Sequence, residues 1–319
     1  MQDRRFKQRH CPACGNESAD VLLEVTAAQV VGSNWSYRSD ALAMLDLHGE
    51  ATFPIVRCTR CGFGYARWQP DDDFLSMLYD QVIDADAART HSFTRGSMVA
   101  RMNYLAILLA LVRDEGRVGV LDYGCGFGPT LALLTAARTV DACGFDASLL
   151  RSTELRACGQ AVCADLHDVA RRAPFHAVIL DNVLEHLVDP RATLRQITTW
   201  CTPGAVLAVG VPECDPAALR RLQKSAPHGR ALPMDINPWE HLNYFTAKTL
   251  DVTMKDAGFQ AIAQSRLPCA VDIGLRPEPR RWARLRNAAA SGLRLAGYAL
   301  YGDTGGYRSM RFYRVGTPR

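Results

Sequence analysis

The sequence lacks the features that would take it outside ordinary globular chemistry. It has no apolar run near the about 20 residues a helix needs to cross a bilayer. Its first residues, MQDRRFKQRH, are charged where a secretory leader would carry an apolar core. These absences predict a cytoplasmic chain with no membrane span. An excess of one charge is missing too. The 37 Lys and Arg against 33 Asp and Glu leave a formal +4, too mild to imply a nucleic-acid partner by itself. Over 319 residues, 48% apolar and 22% charged composition fits one or two globular domains with a large core. In a reducing compartment the 11 cysteines read as thiols or metal ligands, not disulfides.

The richest stretch is VGVLDYGCGFG at 118–128, followed by Pro129. It reads as a buried strand ending at Asp122, a glycine turn through Gly124, Gly126 and Gly128, and a helix that opens on proline, where the missing N–H costs nothing. Such a turn lets backbone approach a nucleotide-like cofactor. The dinucleotide fingerprint also wants a small residue where Pro129 stands, so that pattern is incomplete. Acids recur downstream at strand ends. Asp146 closes VDACGFDAS and can accept from both ribose hydroxyls of an adenosine. Asp165, past the short AVC, can meet an adenine amino group. Asp181-Asn182 ends PFHAVILDN, and Val183 to Leu187 continue over the cofactor's far side.

In order and spacing, the segment from about 118 to 212 resembles a class I S-adenosylmethionine-dependent methyltransferase. The resemblance implies a Rossmann-like α/β sheet of seven strands in the order 3-2-1-4-5-7-6. It implies S-adenosylmethionine as cofactor, held by Asp122, Gly124, Cys125, Gly126, Asp146, Ala147, Asp165, Leu166, Asn182 and Val183. Tyr79 is added as a tyrosine that closes over cofactor or substrate, against the plainer reading of a half-buried aromatic.

Cys11-Pro-Ala-Cys14 and Cys58-Thr-Arg-Cys61 are two CxxC knuckles. Two such turns make a tetrahedral S4 site suited to structural zinc, all four positions filled by protein; free thiols are the alternative. The gap between the pairs requires residues 15–57 to form an inserted hairpin or small subdomain. The expected organisation is a zinc-binding module over 1–70, a helical connector and cofactor cover over 71–117, and a methyltransferase domain over 118–319 with a lid at 212–246.

Within the connector, MVARMNYLAILLALV has helical apolar spacing. After the fourth strand, PRATLRQITTWCTPGAVLAVGVP reads as helix, a turn at Pro203-Gly204, and a fifth strand. The long connection beyond it ends in NPWEHLNYFT, before a helix that Thr246 can cap. FQAIAQS and RFYRV read as the last strands, and the arginine-rich stretch from about 276 as an amphipathic helix.

Methyl transfer to an alcohol or amine needs a base near the acceptor. His241 is the first candidate and His186, in LEHL, the second. The EHLNYF segment resembles one in sugar C-methyltransferases where a Glu-His pair works on the substrate. That implies roles for Glu240 and His241, with Tyr244 as a hydrogen-bonding partner. Those enzymes carry a large additional C-terminal domain, whereas this sequence ends soon after its expected seventh strand, RFYRV. The expected reaction is therefore O- or N-methylation of a small hydroxylated metabolite: a sugar, nucleotide sugar or natural-product intermediate. Sugar C-methylation stays as an alternative, and so does RNA methylation with the zinc module holding RNA. The tetrad Asp181-Asn182-Val183-Leu184 lacks the Pro-Pro-aromatic pattern of amine-directed nucleobase enzymes, so no nucleic-acid partner is expected.

Overall fold

The computed structural model describes residues 3–112, 117–137, 139–225, 232–263, 267 and 310–316. Its strands, in chain order, are β1 (Phe6–Gln8), β2 (Ala19–Thr26), β3 (Thr52–Cys58), β4 (Gly64–Ala66), β5 (Trp68–Pro70), β6 (Val118–Tyr123), β7 (Val140–Phe145), β8 (Phe175–Asp181), β9 (Cys201–Gly210), β10 (Asn243–Tyr244), β11 (Phe259–Ala261) and β12 (Arg311–Val315). The chain packs as two compact units. One comprises Met1–Thr94, Leu180–Trp200 and Val211–Gln260; the other comprises Arg95–Ile179, Cys201–Gly210 and Ala261–Arg319.

The first unit is built on an antiparallel sheet in the order β10-β4-β3-β2, beside a β1-β5 pair. The residues between the two cysteine pairs form the expected insertion. β2 and β3 pair from Ala19↔Cys58 to Thr26↔Thr52, and the excursion between them holds helices Ala27–Ser33 and Ala41–Met44. Thr26 starts the first of these with a reciprocal cap: its Oγ1 accepts from the Gln29 N–H at 3.2 Å, and Gln29 Oε1 accepts from the Thr26 N–H at 3.0 Å. The core is aromatic. Trp239 is fully enclosed, with ring centroids 5.6 Å from Phe53 and 5.7 Å from Phe74.

The last strand of this sheet comes from far along the chain. β10 adds to β4 with Asn243↔Tyr65 and Tyr244↔Gly64. Gly64 permits this, because a Cβ there would stand 2.8 Å from the Tyr244 carbonyl oxygen. The EHLNYF segment is thus sheet-bound in the same unit as the cysteine knuckles. The connection leading to it contains a helix at Pro216–Ser225.

The second sheet has six strands in the order β11-β12-β9-β8-β6-β7. β6 pairs in parallel with both β7 and β8. Its side chains, from Val118 to Tyr123, are almost all buried, as a central parallel strand requires. β12 runs antiparallel to β9, from Arg311↔Val209 to Arg314↔Val206. Counted from β6 as the first strand, this is the methyltransferase order with its characteristic late reversal. The expected third strand survives only as a parallel bridge between Gly144 and Val162. AVC is too short to extend it, because two residues beyond Cys163 the chain turns to cap a helix at Asp165.

Other local expectations hold: Arg95–Leu111 is helical, Pro129 opens Pro129–Thr135, and Thr246 caps Ala247–Asp256. The turn expected at Pro203-Gly204 does not form. β9 runs through both residues, Gly204 absorbing the distortion with φ 80° and its carbonyl accepting from Arg314 Nη1 at 2.9 Å. The arginine-rich stretch from 276 lies outside the described residues, as do 226–231 of the long connection.

The glycine turn is also a packing device. Gly128 has φ 77°, and a Cβ on it would lie 2.6 Å from Leu155 Cδ2. Left-handed strain of about 1–2 kcal/mol and overpacking of about 1–3 kcal/mol both fall on an alanine there. Gly128→Ala is therefore expected to lose about 2–5 kcal/mol of stability by these terms, measured as a lower denaturant midpoint at unchanged slope.

Candidate active site

The second unit carries most of the expected cofactor residues. Asp122, next to last in β6, is 3% exposed. Gly124 and Cys125 then donate their N–H groups to the Phe145 carbonyl at 2.7 and 3.0 Å, locking the turn to the end of β7. Gly124 and Gly126 have φ of 78° and 54°, conformations a glycine takes without cost. Asp146 next to it binds the turn directly: Oδ2 accepts from the Gly126 N–H at 2.8 Å, and Oδ1 from the Ser148 N–H at 2.9 Å. The same carboxylate expected to meet a ribose thus also shapes the loop. Ala147 lies between these contacts, and Leu149 and Leu150 beyond it are 72% and 56% exposed. These two apolar side chains were not singled out from sequence; their only signal was their place just after the acid.

Cys125 is a packed thiol, 5% exposed, with burial pushing its pKa well up. Gly144 faces it, since a Cβ there would stand 2.7 Å from Cys125 Sγ. Asp165 caps the helix that begins at Leu166, its Oδ1 accepting from the Asp168 N–H at 2.8 Å. One observation fits a cofactor at this turn: a Cβ at Gly126 would meet nothing within 4 Å, so backbone borders open space. In the first unit Asn182, a non-glycine residue at φ 63°, holds its Oδ1 buried with no hydrogen-bond partner, a group a ligand would satisfy. Asn182, Val183 and Tyr79 belong to the first unit. Tyr79 sits half-buried in a single π-type turn, Leu78–Val82.

Four cysteines converge in the first unit. Cys11 Sγ is 3.5 Å from Cys61 Sγ and Cys14 Sγ is 3.6 Å from Cys58 Sγ, with all four sulfurs within 4.8 Å of one another. A tetrahedral zinc with bonds near 2.3 Å spaces its sulfurs by about 3.8 Å, so the donor set fits this metal. Each knuckle closes the same way. The Gly15 N–H returns to the Cys11 carbonyl at 2.8 Å and the Gly62 N–H to that of Cys58 at 3.0 Å, both glycines left-handed. Burial pushes the Cys58 thiol up, but N–H groups of Cys61 and Arg60 and the side chains of Asn16 and Cys14 together bring it down to about 6, whereas burial holds the Cys11 and Cys61 thiols above their ordinary value.

The catalytic candidates separate into two settings. One ring nitrogen each of His186 and His241 and a carboxylate oxygen of Glu185 lie within 4.8 Å of one another. The two rings meet edge to face, centroids 4.9 Å apart. His241 Nδ1 is 2.8 Å from the Asp235 carbonyl oxygen. A carbonyl only accepts, so Nδ1 carries the proton and Nε2 the lone pair. Glu240 turns elsewhere: its Oε1 accepts from Tyr37 Oη at 2.5 Å and Asn237 Nδ2 at 2.8 Å. Burial and then the Glu240 charge hold the Tyr37 phenol well above its ordinary pKa. Tyr244 is core, 5% exposed, its phenol likewise raised by burial.

Two residues that sequence reasoning passed over hold this arrangement. Asn243, 2% exposed, grips the turn that bears Glu185 and His186. Its backbone N–H donates to the Glu185 carbonyl at 2.9 Å, and its Nδ2 donates to those of Leu184 and Leu187 at 2.8 and 2.6 Å. Arg9, 6% exposed, donates to the carbonyls of Leu242 and Val188 at 2.6 and 2.9 Å. Burial brings its guanidinium down to about 10. Asn243 had a signal, its place two residues after His241; Arg9 had none.

A strand–glycine turn–helix with an acid at the next strand's end, on a sheet with this order, defines a class I S-adenosylmethionine-dependent methyltransferase. The chain belongs to the family described as "Methyltransferase domain", whose model matches residues 99–264. A search of curated proteins returned no match. Among solved structures the chain is similar to the plantazolicin methyltransferase BamL, at 11% identity and TM-score 0.49, over 76% of this chain and 94% of that one. It is also similar to the Burkholderia thailandensis 1,6-didemethyltoxoflavin-N1-methyltransferase, at 16% identity and TM-score 0.45, over 81% and 98%. Among the described residues no helix is long and apolar enough to cross a membrane.

Proposed function

We propose that this methyltransferase methylates a small hydroxylated metabolite, a sugar, nucleotide sugar or natural-product intermediate, at oxygen or nitrogen, with His241 as general base. The observation that carries this reading is the His241 tautomer. With Nδ1–H spent on the Asp235 carbonyl, the neutral ring keeps its lone pair on Nε2, and one ring nitrogen of His241 lies within 4.8 Å of donor atoms of His186 and Glu185. S-adenosylmethionine supplies a methyl already activated on a sulfonium, so the protein's task is alignment and proton removal. With the donor bound, the methyl would pass to the acceptor's oxygen or nitrogen with loss of the carbon–sulfur bond, and His241 Nε2 would take the acceptor's proton. Glu240, held by Tyr37 and Asn237, fixes the backbone that presents His241, and Tyr244 anchors the segment in the core.

On the cofactor side we assign Asp122, the turn Gly124-Cys125-Gly126, Asp146, Ala147, Asp165, Leu166, Asn182, Val183 and Tyr79 to S-adenosylmethionine, and Cys11, Cys14, Cys58 and Cys61 to structural zinc. Asp146→Ala removes a charged acceptor and frees the Gly126 and Ser148 N–H groups. At about 1.5–3 kcal/mol for hydrogen bonds to a charged group, S-adenosylmethionine is expected to bind roughly 10- to 100-fold more weakly, read by calorimetry. The whole reading is tested with tritiated methyl donor offered to a small-molecule extract and to total RNA. Label in the small molecules supports it; label confined to RNA replaces it.

A further inference from the structure

Glu185, His186 and His241 combine one carboxylate and two imidazoles. This donor set suits a borderline divalent cation more than it suits calcium or magnesium, which favour all-oxygen ligands. Three features of the first unit make the cluster more than a coincidence of polar groups. The three donor atoms already lie within 4.8 Å of one another. The His241 ring donates its Nδ1 proton to the Asp235 carbonyl at 2.8 Å, the outer contact that metal-ligating histidines characteristically make and that aims the other nitrogen at the ion. Glu185 is 1% exposed, and a cation beside a buried carboxylate offsets its desolvation cost.

The scaffold is also rigid. Asn243 pins Leu184, Glu185 and Leu187 through three carbonyl oxygens, two residues from His241. The ligands therefore come from two segments fixed to each other by hydrogen bonds.

We propose that Glu185, His186 and His241 form a second divalent-cation site of zinc-like preference, separate from the four-cysteine cluster, with its fourth position open. The inference rests on the reading of His241 given above and deepens it. Nε2 has one lone pair, so an ion bound there takes the electrons that the acceptor's proton needs. The loaded enzyme is inhibited, and free zinc becomes a regulator of methyl transfer.

The test uses the full chain, purified with its cysteine cluster filled with zinc, and titrates it with further Zn2+ and, separately, Co2+. One additional equivalent is expected to bind, its cobalt spectrum lacking thiolate-to-metal charge-transfer bands. Glu185→Gln and His186→Asn each are expected to lose that equivalent while keeping the cysteine-bound zinc, which doubles as the check that they fold. Turnover of the parent enzyme is expected to fall at least tenfold as the second equivalent fills, and to return with a mild chelator that leaves the first ion in place. A stoichiometry that stays at one, or a second equivalent that survives both substitutions, overturns the site. Turnover that rises or holds steady on filling overturns the inhibition. The two readings also fail separately. If no second ion binds while His241→Ala abolishes turnover, the cation site falls and the base stands. If the second ion binds to the parent enzyme but His241→Ala leaves turnover intact, the base falls and the site stands.

Discussion

His241→Ala is expected to lower kcat by about 10²- to 10⁴-fold, the usual contribution of a positioned general base, while S-adenosylmethionine affinity stays within about twofold, since no residue assigned to the donor is altered. The alternative for a histidine in this setting is structural: a ring that pins the 235–241 turn through the Asp235 carbonyl. His241→Asn separates the two. An asparagine amide retains an N–H donor for that carbonyl but has no basic lone pair. A structural role predicts that Asn restores what Ala loses; the base role predicts that both variants are slow and that only Asn keeps the parental melting temperature. Full turnover in either variant would sink the assignment. His186→Ala is the companion measurement. If it alone abolishes turnover, the base is the ring across the 4.9 Å edge-to-face contact, not His241.

Why some of this was legible in the sequence and some was not follows from the range of the forces involved. The glycines of the turn, Pro129 opening its helix and Thr246 capping another are local events, decided by backbone conformation and hydrogen bonds within a few residues, and the acids beside the C-terminal ends of β6 and β7 follow from where the apolar runs stop. They show as punctuation in the sequence. The paired knuckles were legible for the same reason, since each closes within five residues on a left-handed glycine. Pro203-Gly204 shows the limit of that logic. The dipeptide has turn chemistry, but pairing of β9 with its neighbours outweighs it, and the distortion stays at one glycine. What sequence reasoning missed is long-range. β10 joins β4 from about 180 residues further along the chain because Gly64 leaves room for the Tyr244 carbonyl. Glu185 drew no comment although it adjoins His186, because its meaning lies in the distant His241. Asn243 and Arg9 act through carbonyl groups, which carry no residue identity and leave no pattern to read.

Removing the zinc proposed for the cysteine cluster is expected to have the largest effect on stability, and its consequence reaches the segment bearing His241. The four sulfurs come from two short loops, and Cys58 is also the last residue of β3. β3 pairs with β2 at Ala19↔Cys58 and with β4 at Arg57↔Gly64. β4 in turn carries β10, which positions His241 and, through Asn243, the turn bearing Glu185 and His186. Structural zinc sites contribute apparent free energies of about 10–16 kcal/mol, comparable to or larger than the about 5–15 kcal/mol by which a whole domain is stable. Cys58→Ser, or exhaustive chelation of the parent protein, is therefore expected to melt the β2-β3-β4-β10 sheet while the second unit, which contains none of the four ligands, keeps its own fold. Hydrogen exchange resolves the two units: amides of β3 and β10 exchange freely in the stripped protein, while those of β6 and β7 stay protected. Methyl transfer vanishes with the first sheet, and zinc added back to the chelated parent restores both. A stripped protein that keeps β3 and β10 protected would mean that the four cysteines hold no structural metal, and that the aromatic core around Trp239 is enough to support the segment bearing His241.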